Sequence, residues 1–341
     1  MTAPGVDPAI LDWLLEPADP GVRHLALRDL VRLDPGDPEL VTARAAAMAA
    51  GPIAGILAAQ HPEGYWAKAG AGYSPKYRGT VWQVTFLEQL GADGEDPRLR
   101  TACDYLITHT QTTSGGFGYR HRASEPVPPA SSVIHCLNGN LVRALVGLGR
   151  AADPRVQRAI AWEAEAVTGE RDIHFNTTTP GPGFRCGFNG GQRCGWGAAK
   201  GLLGLAAVPL ELRTPVVERA IAQAVEFLLS VDPSTAMYPM SEGNTRPNSS
   251  WFKLGFPLGY VADVLQVMEA LVDAGAAGNP RLASAVEWLL AQRDSDGRWR
   301  NRYSYAGKLV KDIDRQGEPS KWVTLRAARV LQAVGEARSA G

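Results

Sequence analysis

Apolar residues recur at three- and four-residue intervals through most of the chain, as in Val261, Val264, Leu265, Met268, Leu271 and Val272. That is the period of a helix with one buried face, whereas the strict alternation of a half-buried strand is scarce. Proline marks where the periodic stretches begin. Asp19, Asp37, Asp96, Asp153, Thr214 and Asn279 each precede a Pro and then an apolar-periodic run, and a first-turn Pro is tolerated because the N–H it lacks has no partner inside the helix. The pattern predicts one helix set at about 7–16, 38–59, 97–110, 154–167, 214–230 and 280–292. A second set alternates with it at about 22–33, 79–91, 139–150, 195–207, 260–275 and 321–336, giving about six antiparallel pairs roughly sixty residues apart.

Three stretches repeat one phrase. Gln60-His-Pro-Glu-Gly64-Tyr-Trp66, Gln111-Thr-Thr-Ser-Gly115-Gly-Phe117 and Gln292-Arg-Asp-Ser-Asp-Gly297-Arg-Trp299 are each a helix tail, a Gln, a Gly turn and an aromatic. Self-similarity at such intervals identifies a repeat architecture. Helix pairs of this kind stack as an open solenoid or close into a ring. Glycines at 139, 147, 149, 195, 197, 201 and 204 permit the close backbone approach that crowded inner helices of a ring require. The long loops, at about 112–134, 168–193, 231–256 and 300–320, all lead from a first-set helix into a second-set helix, and should gather at one end of the ring.

Composition narrows the function. Hydrophobic residues make up 45% of the 341 and charged residues 21%, the balance of an ordinary folded domain. One domain spanning 1–341 is expected, with its last few residues disordered. Lys plus Arg equals Asp plus Glu at 35 each, so the basic excess of a nucleic-acid binder is missing. No apolar run approaches a membrane span and no leader pattern opens the sequence, so a cytoplasmic protein with no obligate protein partner is expected. Phosphate loops, dinucleotide fingerprints, Gly-x-Ser-x-Gly elbows and His-Glu-x-x-His helices are lacking.

The helix–Gln–Gly–aromatic phrase, with Tyr105-Leu106 leading to Gln111 and Trp288-Leu289 to Gln292, resembles the QW-type repeat of squalene and hopene cyclases and the related repeat of protein prenyltransferase beta subunits. Cys136-Leu-Asn-Gly-Asn140, Cys194-Gly-Trp196 and Pro319-Ser-Lys-Trp322-Val-Thr-Leu-Arg326 resemble bacterial proteins described as prenyltransferase-like or squalene-cyclase-like. The resemblance implies an all-α (α/α)6 toroid whose inner helices surround an apolar cavity open at one end. The chemistry transfers less readily. Cyclases of this type protonate an alkene with Asp-x-Asp-Asp, and the nearest text here is Asp312-Ile-Asp314-Arg315, whose adjacent cation favours ionised carboxylate. Prenyltransferase beta subunits hold zinc with an Asp-x-Cys pair, which the chain lacks.

Four cysteines are too few for a disulfide scaffold. His135 and Cys136 stand at the entrance to the third inner helix and Cys186 and Cys194 flank the entrance to the fourth, and in a ring those entrances are neighbours. Cys136, Cys186, Cys194 and His135 therefore form a candidate Zn2+ site, with His174 competing for the fourth place and buried, inert thiols as the alternative. Cys103 is expected to pack.

Trp82, Trp196, Tyr260 and Trp322 are candidate cavity aromatics, able to line a pocket for an isoprenoid or stabilise a carbocation, while Trp66, Phe117, Trp288 and Trp299 belong to repeat packing. Arg78, Lys321 and Arg326 are candidates to receive a diphosphate or carboxylate at the mouth. Lys200 lies in an otherwise apolar inner-helix stretch and needs a partner; Asp263 on the next inner helix is the natural one, as a structural bridge or a catalytic pair. The sequence thus points to a zinc-containing prenyltransferase- or cyclase-like protein acting on an isoprenoid or other apolar small molecule. A ligand-binding toroid with structural zinc is one alternative, and a glycan-acting enzyme using Asp263 and Glu318 is another.

Overall fold

Each repeat begins where a Pro-initiated helix meets a side-chain cap. Asp7, Asp37, Asp96 and Asp153 accept hydrogen bonds from backbone N–H groups two residues on, satisfying donors that a helix start leaves without partners. The computed structural model describes residues 5–120, 127–171 and 183–340. Their helices in chain order are α1 (Pro8–Leu14), α2 (Pro20–Ala26), α3 (Pro38–Ala49), α4 (Gly51–Ala58), α5 (Thr80–Gln89), α6 (Pro97–Thr110), α7 (His135–Gly147), α8 (Pro154–Thr168), α9 (Gly195–Ala206), α10 (Pro215–Leu229), α11 (Val264–Asp273), α12 (Ala283–Leu290) and α13 (Lys321–Ala340). Among the described residues the only β-pairing is in isolated bridges.

The inner helices are α2, α5, α7, α9, α11 and α13, and their order closes. α7 packs against both α5 and α9, α9 against α11, α11 against α13, and α13 returns to α2. The end of α5 meets α2, where a Cβ on Gly91 would stand 2.5 Å from Leu25. The seam between last and first repeats is built: Lys321 Nζ lies 2.6 Å from Glu16 and 2.8 Å from Asp19, and Gln332 Nε2 donates to the Leu30 carbonyl at 3.1 Å. This is the (α/α)6 toroid, with α1, α3–α4, α6, α8, α10 and α12 outside.

The repeated phrase has one structural job. Trp66 Nε1 donates to the Ile56 carbonyl and Trp299 Nε1 to that of Leu289, so each ring folds back onto the outer helix just completed. Their backbone N–H groups are received by Thr80 and Thr324 of the following inner helices, and that of Phe117 by Asn138. Gln60 and Gln111 hold the first turn of the next outer helix through the Arg98 and Arg155 carbonyls. The turn glycine at 64 has φ 96°, and a Cβ there would stand 2.7 Å from the Thr101 carbonyl oxygen. A fourth instance has no Gly-aromatic text: Tyr238 Oη donates to the Leu228 carbonyl, ten residues back as in the two Trp cases, with Ala236 left-handed at φ 49°.

Several predicted boundaries move. The helix expected at 38–59 breaks at Gly51, φ 65°, because Pro52 disfavours a helical residue before it; α3 and α4 meet at a 45° bend. The third inner helix starts at His135, so His135 and Cys136 lie inside its first turn. The fifth starts at Val264, because Asp263 is its N-cap and accepts from Gln266 N at 2.7 Å. α13 runs to Ala340, and Gly341 lies outside the described residues.

Candidate binding cavity and thiol cluster

Two loops at the N-terminal rim of the inner helices enclose a cavity of about 350 Å3 beside the entrances of α7 and α9. One wall is a turn from Phe184 to Cys194. Cys194 N donates to the Phe184 carbonyl at 2.8 Å and Cys186 N to that of Gln192 at 3.1 Å, and the reversal uses left-handed Gly190 and Gly191, φ 60° and 78°. The other wall comes from the segment after α10 and carries Tyr238, Met240, Trp251 and Tyr260. Asn189 joins the walls, donating to the Pro239 carbonyl and accepting from Ser241 N. Arg246 stands exposed on the rim.

Cys136, Cys186 and Cys194 all line this cavity, and with His135 they also line a smaller void behind it. The ring therefore brings together the thiols that are far apart in sequence. Their surroundings differ. The neighbouring Cys194 thiol, and after it the backbone N–H groups of Phe188 and Asn189, hold the Cys186 thiol below the usual range. Cys194 is held above that range first by the same contact and then by burial. Burial pushes Cys136 up to about 11, and its thiol pairs with Tyr260. Buried Cys103 is pushed up to about 12 and belongs to the core.

His135 Nδ1 lies 2.7 Å from Glu163 Oε1, and the other carboxylate oxygen accepts from Asn138 Nδ2 at 2.8 Å. Glu163 is wholly buried on the inward face of α8. Among the described residues no group of three or more His, Cys, Asp or Glu side chains is arranged to hold a metal ion. Cys186 and Cys194 are free thiols in contact with each other, the Cys136 thiol pairs with Tyr260, and His135 Nδ1 is committed to Glu163. His174 lies outside the described residues.

Of the four candidate aromatics, Trp196 and Tyr260 line the cavity. Trp196 Nε1 is buried and has no hydrogen-bond partner, which costs about 1–3 kcal/mol unless a ligand or solvent supplies an acceptor. Trp82 instead packs among Tyr73, Tyr77 and Tyr260 and donates to the Tyr73 carbonyl. Trp322 stacks on Phe256 with ring centroids 4.6 Å apart. Tyr73 contacts Tyr260, and Tyr77 and Tyr303 both contact Tyr305, with Trp82 linking the two groups.

The expected cations have other employment. Arg326 is buried and divides its donors among Asp263, Glu269 and the Gly255 carbonyl, 2.7–3.2 Å away. Its guanidinium fastens α13 to α11 and cannot receive a diphosphate. Lys321 serves the seam, and Arg78 is exposed with no place in the cavity lining. Lys76, two residues earlier, reaches over the Tyr77 and Tyr260 rings at 5.1 and 5.0 Å. The expected Lys200–Asp263 hydrogen-bonded pair is not made. Lys200 Nζ donates to Gln266 Oε1 at 2.8 Å, while Asp263, displaced to the helix cap, is taken by Arg326. Burial pulls the Lys200 ammonium down to about 8.

Fold and cavity together define a closed helical ring with a small-molecule-sized pocket at one rim. No protein-family model matches the chain, and no curated protein matches it. Among solved structures it is similar to a protein from Actinoplanes, at 18% identity over 95% of this chain and 90% of that one, with a TM-score of 0.44. It is also similar to the type II terpene cyclase MstE from Scytonema. A variant of that enzyme in complex with geranylgeranyl dihydroxybenzoate is 14% identical over 84% of this chain and 95% of its own, at a TM-score of 0.32, and the apo form gives 13%, 84%, 96% and 0.29. Likenesses this distant assign no activity, and the ring closure rests on the contacts described above. Among the described residues no single helix is long and apolar enough to cross a membrane.

Proposed function

We propose that this protein binds an apolar small molecule of isoprenoid type in the cavity beside the α7 and α9 entrances. The observation carrying this reading is the lining: Trp196, Trp251, Tyr238, Tyr260 and Met240 around about 350 Å3, within the size range of small-molecule sites. An orphan Trp196 N–H and a polar rim of Ser241, Asn244, Arg246 and Asn248 suit a ligand with one polar end. The isoprenoid class is suggested by the QW-like repeat. Lys200 and Asp263 have structural partners, so a catalytic role for that pair finds no support in their contacts. A glycan-acting role is not favoured, because none of the described residues lining the cavity is a carboxylate.

Native mass spectrometry of the purified protein, followed by titration with farnesol and geraniol under tryptophan fluorescence, tests the reading. Saturable binding is expected, weakened at least tenfold, or about 1.4 kcal/mol, by Trp251→Ala. A folded protein that neither carries nor takes up an apolar ligand would defeat it. Zinc is a separate proposal, motivated by three thiols lining one cavity; it requires the sulfurs to exchange their present hydrogen bonds for a shared ion, and metal analysis of the purified protein reads it directly.

A further inference from the structure

The cavity's lining divides into an apolar body and one charge. Among the described residues that line it, Arg246 is the only Lys, Arg, Asp or Glu. Its polar neighbours are already engaged: Asn189 Nδ2 donates to the Arg193 and Pro239 carbonyls, Asn244 Nδ2 donates to Ser241 Oγ, and Asn248 Oδ1 accepts from Ser250 N. Arg246 makes no hydrogen bond or ion pair with another described residue, Glu242 four residues earlier included. Its loop is pinned on both sides. Ser241 N donates to Asn189 Oδ1 at 3.1 Å before it, and Asn248 caps the short helical turn Ser249–Phe252 after it, while Pro247 holds the Arg246 backbone extended. The surrounding field has the same sign. Lys76, Arg78, Arg185, Lys253 and Lys308 lie exposed on the loops of this rim and form no ion pair with a described residue. At the opposite end of the ring Arg28, Arg32, Arg143 and Arg213 are all paired with carboxylates. Exposed Glu242, Asp312 and Glu318 offset part of the rim's charge, and none of them lines the cavity. A chain of zero net charge thus keeps unneutralised cations around its cavity, an arrangement that draws in an anion.

We propose that the ligand of this cavity is an amphipathic carboxylate, an apolar-tailed acid of isoprenoid type, whose tail lies against Tyr238, Met240, Trp251 and Tyr260 and whose carboxylate is received by Arg246. The inference rests on the cavity being a ligand site, and it deepens that reading by naming the chemistry of the ligand's polar end. A guanidinium and a carboxylate meet through two parallel N–H···O bonds between full charges, a match that a hydroxyl cannot make. A diphosphate carries several negative charges and would leave most of them without a partner beside a single cation. The sequence suggested Arg78, Lys321 and Arg326 for an anion; with Lys321 and Arg326 paired to carboxylates and Arg78 outside the lining, the position falls to Arg246. The loop that carries it is also the wall that supplies the aromatic rings, so one segment, from Tyr238 to Tyr260, presents both the apolar surface and the charge.

Titration of the full-length protein at neutral pH with farnesoic acid and with its methyl ester, followed by tryptophan fluorescence, tests the proposal, because the two ligands share one tail and differ in charge. The acid should bind about tenfold more tightly than the ester, and its advantage should shrink as salt is raised from about 20 to about 500 mM. Arg246→Gln should bring the two affinities to within about twofold of each other, and Arg246→Lys, which keeps the charge and loses the fork, should retain part of the difference. Arg315→Gln removes a rim cation outside the lining and should leave the difference intact; circular dichroism checks that each variant is folded. An acid preference that survives Arg246→Gln, or one that Arg315→Gln lowers equally, would overturn the proposal, and so would farnesyl diphosphate binding more tightly than the acid. Farnesol and ester binding as tightly as the acid would defeat the role of Arg246 and leave the ligand site standing, whereas failure of all three to bind would defeat the site itself.

Discussion

At the scale of single residues, the chain spends its buried charges on holding elements together. Lys200 is fully buried with a neutral partner, Gln266, and burial brings its ammonium down from 10.5 to about 8. The folded state therefore disfavours the charged form. That penalty is present in full below pH 8 and disappears as the pH rises toward 10.5, a window in which the unfolded chain holds more protons, so stability should rise there by about 3 kcal/mol. Lys200→Met keeps the volume and removes the charge. It is expected to stabilise the protein by about 2 kcal/mol at pH 7 and to flatten the rise between pH 8 and 10.5, as urea denaturation at several pH values would show; a loss of stability at pH 7 would instead make Lys200 a net contributor. That Lys200 is buried was legible from its apolar neighbours. Its partner was not, because a start at Val264 instead of 260 turns Asp263 from a helix face into a cap, within reach of an arginine sixty-three residues later. The thiol cluster was legible as adjacency alone, since how the sulfurs meet depends on the turn through Gly190 and Gly191. Glu163 did carry a signal: it continues the buried face of Val156, Ala159 and Ile160, where a carboxylate demands a partner.

At the scale of elements, the inner ring is held by how closely α7 and α9 approach. An added Cβ on Gly139 would stand 2.4 Å from the Lys200 carbonyl oxygen, and one on Gly204 2.7 Å from that of Gly139. Backbone cannot step aside as a side-chain tip can, so Gly139→Ala is expected to cost about 3 kcal/mol in thermal or chemical denaturation. Gly335, in the middle of α13, has nothing within 4 Å of its Cβ position, and Gly335→Ala should stabilise by about 0.5–1 kcal/mol through helix propensity alone. Opposite signs from one substitution type separate close approach from propensity; a stabilising Gly139→Ala would refute the approach. Glycine positions were readable in the sequence as a sign of crowding, and so was the helix alternation, because the hydrophobic period and the Pro starts both depend on local geometry. The repeat around Tyr238 was hidden because Ala236 supplies the left-handed turn that Gly supplies elsewhere, leaving the hydrogen bond to Leu228 without its textual marker.

At the scale of the whole molecule, closure makes the two ends of the polypeptide structural neighbours, and that has a measurable consequence. Trp322, near the start of α13, stacks on Phe256 and stands against Gly21 of α2, whose Cβ position lies 3.0 Å from the indole. Trp322→Ala leaves a void at the seam and should cost about 3–5 kcal/mol. In a ring, the loosened seam frees both of its sides, so amide exchange should accelerate together in α13 and in α2, which lies some three hundred residues away along the chain. α7 and α9, on the far side and locked by their glycine contact, should keep their protection in sub-global openings. An open spiral of hairpins predicts otherwise: damage to the last inner helix would spread to α11, its only inner neighbour, and leave α2 untouched. Native-state hydrogen exchange followed by peptide mass analysis distinguishes the two, and faster exchange confined to α11 and α13 would mean that the ring contacts at the seam do not stabilise the fold.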